Sequence, residues 1–298
     1  SETFSVDVQF ADTATDPNAS LTLEGNNTYN GDTNILDGTL IANGADVQFD
    51  GLTVGNAIPD TSEVFLNDGG VLELLKSEAI ALLSDGPDGG GVVEAGAFDL
   101  IITGDNPDPF SGTINSDTVE VEEGGSFETD GDIDGDVDND GTFLSNGLID
   151  GNVLNRGRFG GNPNITGNFS NQRGGTHAPG GSIGTTIVAG DYDEAGILEI
   201  ELNGAADGQM ADLVDVGGIA DLLDSATIVI LPEDGDDDDE PDTLDGNVEP
   251  GQVFTILTAE GGINVPDAGD PQTLGLTIDN QILDQPFSFL FNDDMTEL

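Results

Sequence analysis

The chain has 298 residues, of which 60 are acidic and only 4 are basic (Lys76, Arg156, Arg158 and Arg173), so its formal net charge is −56. Proteins hold nucleic acid by exchanging its counterions for Lys and Arg, and charge therefore excludes a nucleic-acid partner and an anionic membrane surface. Hydrophobic residues make up 36%, 44 residues are Gly, and Trp and Cys are absent, which excludes disulfides and cysteine chemistry and argues against a large mixed core.

In chain order, Phe4, Val6, Val8 and Phe10 alternate as one face of a strand, followed by Leu21 and Leu23, then Ile35, Leu40 and Val47. The run VLELLKSEAIALL at 71–83 places Leu72, Leu75, Ala79, Leu82 and Leu83 on one helical face, and Gly86 and Pro87 end it. A short helix there is expected to cap or cover a sheet edge. Residues 84–112 are rich in Gly, Pro and Asp and read as loops around a short strand at Phe98–Ile102.

Between 117 and 174 the sequence repeats every sixteen residues. Ile133, Ile149 and Ile165 share this step, as do Gly135, Gly151 and Gly167, and Val121, Val137, Val153 and Phe169. So do Asn139, Asn155 and Asn171, and Phe127, Phe143 and Phe159, with Gly125, Gly141 and Gly157 two residues ahead of each Phe. Sixteen residues at ~3.3 Å each make a path of roughly 53 Å, too long for one strand and suited to one turn of a three-sided coil. The fold expected is all-β: a right-handed parallel β-helix with like residues stacked ~4.8 Å apart, apolar columns inside, Gly at corners and Asn in amide ladders.

Further strands are expected at Thr186–Val188, Ile197–Leu202, Leu213–Val216, Thr227–Leu231 and Val253–Leu257. An acidic run, Glu233–Asp242, reads as a solvated loop, and Pro286–Phe291 is again apolar and alternating. Three regions follow: a β-rich 1–115, solenoid turns over 116–232, and an acidic loop with terminal strands over 233–298. The chain opens without a charged segment leading into an apolar run and has no stretch of ~18 apolar residues, as expected of a mature secreted protein that is not embedded in a membrane.

Two segments resemble a known family. LEGNNTYNGDTNILDGTL (Leu23–Leu40) is similar to the autotransporter-associated β-strand repeat. APGGSIGTTIVAGDY (Ala178–Tyr192), continued by LEIELNG, ADLVDVGGIADL and GQVFTILTA, is similar to the last part of autotransporter passenger domains. The resemblance implies a right-handed parallel β-helix at a bacterial surface; nothing after residue 260 resembles the family's membrane barrel.

Candidate chemistry is sparse. Asp134, Asp136, Asp138 and Asp140 include a D-x-D-x-D-G run suited to calcium, but the twelfth position of an EF-hand would be Gly147 and not Glu. Because the sixteen-residue columns already account for Val137, Asn139 and Gly141, outward-facing acids on a strand are the favoured reading, with calcium bridging of stacked acids as the alternative. Asp236 and Asp238 form a second, weaker calcium candidate. No other cofactor is indicated. Arg156 lies one period after Asp140, and Arg156, Arg158 and Arg173 are expected in ion pairs between turns or between subunits. His177, before Pro-Gly-Gly, reads as a turn residue. Carboxylates are too evenly scattered to define a catalytic pair, and no phosphate loop or nucleophile elbow is present.

The expectation is a non-enzymatic, secreted extracellular or cell-surface protein that assembles with copies of itself into a filament, fibre or layer. The terminal strands, Phe4, Val6, Val8 and Phe10 or Phe287, Phe289 and Phe291, would complete the next copy's sheet. The alternative is a carbohydrate-binding adhesin or a polysaccharide-degrading β-helix enzyme, either of which needs a lateral groove for glycans.

Overall fold

The computed structural model describes residues 8–10, 19–29, 31–49, 51–105, 108–203, 210–232, 253–265, 277–280 and 298. The described residues form strands and turns and no helix; the strands build large parallel sheets, as a β-solenoid does. The chain divides into two compact units, Ser1–Asn152 and Val153–Leu298, and the expected boundaries after 115 and 232 fall inside them.

In the first unit one parallel ladder runs from Val8–Phe10 through Thr33–Ile35 and Glu63–Leu66 to Leu82–Asp85. A second stacks Ser20–Gly25, Gly38–Gly44, Gly70–Leu74, Val92–Glu94, Thr113–Val121, Asp132–Asn139 and Leu148–Asp150. Burial alternates residue by residue along Thr33–Ile35, Glu63–Leu66, Gly38–Gly44 and Gly70–Leu74: in Gly38–Gly44, Leu40 and Ala42 are buried and Thr39 and Ile41 are half-exposed. That period of two is what a pleated strand with one wall against a core requires. Phe127 stacks on Phe143 with ring centroids 5.7 Å apart, edge to face, both fully buried. Burying each ring contributes roughly 1.5–3 kcal/mol, and the edge-to-face contact adds to it.

The offset between paired residues depends on the loops. Glu94 and Asn115 are 21 apart, Phe110 and Thr129 are 19 apart, and Ile133 and Ile149, like Asp136 and Asn152, are 16 apart. In the second unit Val153 pairs with Phe169 at an offset of 16, Asn171 meets Glu194 at 23, and Asp221 meets Asn264 at 43. The regular central period is thus the stretch where connections are shortest. Corner glycines keep it tight: a Cβ on Gly131 would overlap the carbonyl of Gly112, and one on Gly147 would overlap that of Gly131.

One expectation is overturned. Residues 71–83 are not a helix but parts of three strands, Gly70–Leu74, Glu78–Ile80 and Leu82–Asp85, and Leu75 of the supposed apolar face is 40% exposed. Short strands joined by corners of three residues, 75–77, and of one, Ala81, put apolar residues at spacings that imitate a helical face. The strands win because each gains ladder partners, Val71 with both Thr39 and Val92, and Leu83 with Val64. Of the other expected strands, Phe98–Ile102 is shorter, Leu100–Ile102 with Phe98 exposed, and Val253–Leu257 is shifted to Leu257–Ala259.

Candidate functional site

On the outer wall of the first unit the register turns scattered acids into a column. Glu73 pairs with Glu94, Glu94 with Asn115, Asn115 with Asp134, and Asp134 with Asp150. Neighbouring strands in a sheet lie ~4.8 Å apart, so like charges face one another at short range. Glu120 pairs with Asp138 in a neighbouring column. Its carboxyl is pushed up to about 7, first by desolvation and then by Glu122, Asp138, Asp99 and Asp140. An open depression on this wall is lined by Thr39, Val71, Glu73, Leu74, Glu94, Ala95 and Gly96.

The expected calcium ligands lie in this region. Asp134, Asp136 and Asp140 are exposed and Asp138 half-exposed, and Gly135, at a φ of 153°, turns the strand between Asp134 and Asp136. Asp136 accepts from Asn152, from the amide N at 2.7 Å and from Nδ2 at 3.1 Å, so it serves the neighbouring turn. Among the described residues no three His, Asp or Glu side chains are gathered as metal ligands. Strand alternation spreads these acids along the wall, whereas a calcium loop would fold them onto one point. Asp236 and Asp238 lie outside the described residues.

Of the expected assembly strands, Val8 and Phe10 belong to Val8–Phe10, which pairs with Thr33–Ile35 of its own chain. Phe4, Val6, Phe287, Phe289 and Phe291 lie outside the described residues. A feature not singled out from sequence is Ser20–Gly25, a six-residue strand exposed at every position except the half-exposed Leu23. Among the described residues its ladder partner is Gly38–Gly44 alone. Thr39 donates to the Ala19 carbonyl at 3.0 Å and Ala45 to that of Gly25 at 2.9 Å, so odd-numbered residues face the partner. The backbone groups of Ser20, Thr22 and Glu24 therefore point to the other edge.

Arg158 pairs with Glu199 at 2.5 Å, two strands along a ladder in which Arg158 pairs with Thr176 and Thr176 with Ile197. It is an ion pair between turns of the wall. Arg156 and Arg173 are exposed on turns.

The second unit holds a polar chain inside its wall. His177 is not a turn residue but a fully buried strand residue in Thr176–Pro179, because Phe159 and Phe169 enclose its ring in the apolar stack. Its Nδ1 lies 2.9 Å from Tyr192 Oη, and its Nε2 lies 3.0 Å from Thr186 Oγ1. Tyr192 Oη is 2.6 Å from Glu194 Oε2. Glu194 Oε1 accepts from Asn171 Nδ2 at 2.7 Å and from the Gly196 amide at 2.8 Å, and Asn155 Nδ2 donates to Asn171 Oδ1 at 2.7 Å. Asn155, Asn171, His177, Thr186, Tyr192 and Glu194 are all 0% exposed. Burial pushes His177 down to about 3 and Glu194 up to about 7, against the pull of Tyr192, Asn171 and Gly196. Tyr192 is raised well above its ordinary value by burial and then by Glu194. The Asn column marked the start of this chain; Glu194 continues it at an offset of 23, where a fixed period of sixteen does not look.

The first unit buries a carboxyl in a different manner. Glu78 is 1% exposed; its Oε1 accepts from the Ile58 amide at 2.7 Å, while its Oε2 makes no hydrogen bond of ordinary geometry among the described residues and lies against Gly55. Burial pushes this carboxyl up to about 7, against the pull of the Ile58 and Ala57 amides.

No protein-family model matches the chain, and no curated protein matches it either.

Proposed function

We propose that this chain is a non-enzymatic extracellular or cell-surface structural protein, a right-handed β-solenoid with sixteen-residue central turns, which assembles with copies of itself into filaments or layers. The resemblance of Leu23–Leu40 and Ala178–Tyr192 to autotransporter passenger repeats supports the handedness and the surface location. The observation that carries the reading is the edge of Ser20–Gly25 that no other described strand pairs, since such an edge is a template for a further strand. Contacts of this head-to-tail kind do not close and so extend into fibres. Repulsion at a net charge of −56 sets the conditions: assembly needs salt or divalent cations, calcium among them, to screen the stacked carboxylates.

The test is Thr22→Pro, which removes an outward-facing amide and leaves the inward ladder intact. Negative-stain microscopy and sedimentation at high salt should show polymers of the parent chain and monomers of the variant; equal polymerisation of both would sink strand addition at this edge.

The depression bearing the stacked Glu73 and Glu94 supports the second reading, a glycan-binding or glycan-cleaving wall. A reducing-sugar assay and a glycan array on the parent chain and on Glu73→Gln separate the two: glycan binding or cleavage that this substitution abolishes favours the second reading.

A further inference from the structure

The hydrogen bonds of the buried chain in the second unit can run in either of two directions, and the proton on Glu194 selects between them. Oε1 of Glu194 already accepts two N–H donors, from Asn171 and Gly196, so a proton on this carboxyl sits on Oε2, facing Tyr192. With Glu194 ionised, Tyr192 donates to Oε2, Tyr192 Oη accepts from His177 Nδ1–H, and His177 Nε2 accepts from the Thr186 hydroxyl. With Glu194 protonated, Oε2–H donates to Tyr192, Tyr192 donates to His177 Nδ1, and His177 Nε2–H donates to Thr186. Both arrangements use the same heavy-atom positions and leave none of these contacts broken.

We infer that Thr186, His177, Tyr192 and Glu194 form a one-proton relay inside the wall, in which protonation of Glu194 reverses the hydrogen-bond direction and switches the tautomer of His177. The proton count balances. One proton enters at His177 Nε2 from the Thr186 side, the Nδ1 proton passes to Tyr192 Oη, and the Tyr192 proton passes to Glu194 Oε2. His177 stays a neutral imidazole in both states, in keeping with a ring fully sealed from water.

No other titratable group faces Glu194 from the described strands packed around it. Phe169–Asn171 turns Phe169 and Asn171 inward, Thr176–Pro179 contributes His177, and Thr185–Val188 contributes Thr186 and Val188. Ala220–Leu222 places Leu222 over Glu194 and keeps Asp221 outward, paired with Asp193 on the outer wall. Ile197–Asn203 turns Leu198 and Ile200 inward. The shift of the Glu194 carboxyl to about 7 places the reversal near neutral pH.

His177 is the single histidine of the chain, so its two ring nitrogens can be followed without assignment ambiguity. The experiment is ¹⁵N NMR of the labelled full chain from about pH 5 to about pH 9, a range in which an unperturbed histidine would instead pass from imidazolium to imidazole. The expected result is a neutral ring throughout, with Nδ1–H predominating at the alkaline end, Nε2–H at the acid end, and a change in tautomer ratio of at least about tenfold. In Glu194→Gln the amide nitrogen donates to Tyr192 as the protonated acid does, so the variant should hold the Nε2–H tautomer at every pH. Tyr192→Phe should remove the pH dependence by cutting the chain. A single unchanging tautomer in the parent protein, an imidazolium appearing within this range, or a Glu194→Gln profile that titrates like the parent would each overturn the relay.

Discussion

Glu78 in the first unit and Glu194 in the second are equally sealed, and burial pushes both carboxyls to about 7, yet they are wired differently. Glu194 has two donors on one oxygen and a hydroxyl on the other, which can reverse its direction. Glu78 has the Ile58 amide on one oxygen and the pull of the nearby Ala57 amide, and its second oxygen, against Gly55, has no hydrogen-bond partner of ordinary geometry among the described residues. The same burial therefore yields a tolerated proton in one unit and a stored penalty in the other. The lesson is that the partners of a buried acid, more than its depth, decide which neighbouring hydrogen bonds change when it ionises.

The largest expected effect comes from the aromatic stack enclosing the polar chain of the second unit. Phe169 touches Phe159, His177 and Tyr192 and is fully buried. Phe169→Ala should cost ~3–5 kcal/mol in a denaturation experiment and expose the relay to water. A loss below about 1 kcal/mol would mean that the stack does not form as described.

Next comes pH. Both carboxyls have folded values raised above the ordinary 4.5, so their stability is fully present below 4.5 and is lost as pH rises through about 7. Each contributes roughly 3 kcal/mol to the difference between mildly acidic and mildly alkaline solution. Denaturation midpoints should fall from pH 5 to pH 8, and Glu78→Gln should make that fall smaller. To separate the units, hydrogen exchange corrected for intrinsic rate should show the Ile58 amide opening on alkalinisation before the Tyr192–Glu194 strand does. The reverse order would break the comparison.

Salt acts more weakly. Glu120 is partly solvated, so its repulsion from Glu122 and Asp138 is screened, and added sodium or calcium chloride should raise the melting temperature by a few degrees. The smallest effect belongs to Arg158→Ala, which removes a half-exposed pair with Glu199 worth ~0–1 kcal/mol.

The central stretch was legible because its connections are short: identical offsets put Ile133 beside Ile149 and Val153 beside Phe169. Longer loops elsewhere hide the same stacking, so the partnership of Asn171 with Glu194 could not be read from a fixed period. The 71–83 segment misled because corners between short strands mimic helical spacing, and only its neighbours in the ladder decide the matter. His177 misled because Pro-Gly-Gly lies just after it, whereas its ring is held by aromatic residues from other turns. That Ser20–Gly25 has a single ladder partner among the described residues is not legible in the sequence, since alternation reveals a strand but not how many sides of it are paired.

The account rests on parallel, in-register stacking, and the cysteine-free chain allows a direct measurement of it. Nitroxide labels on Asp134→Cys and Asp150→Cys occupy paired positions on adjacent strands of the first unit, on a wall where labels can point outward. Strong spin–spin broadening in the double variant, absent from either single variant, is the predicted outcome, because paired backbones lie ~4.8 Å apart. A double-label spectrum equal to the sum of the two single-label spectra would contradict the stacking.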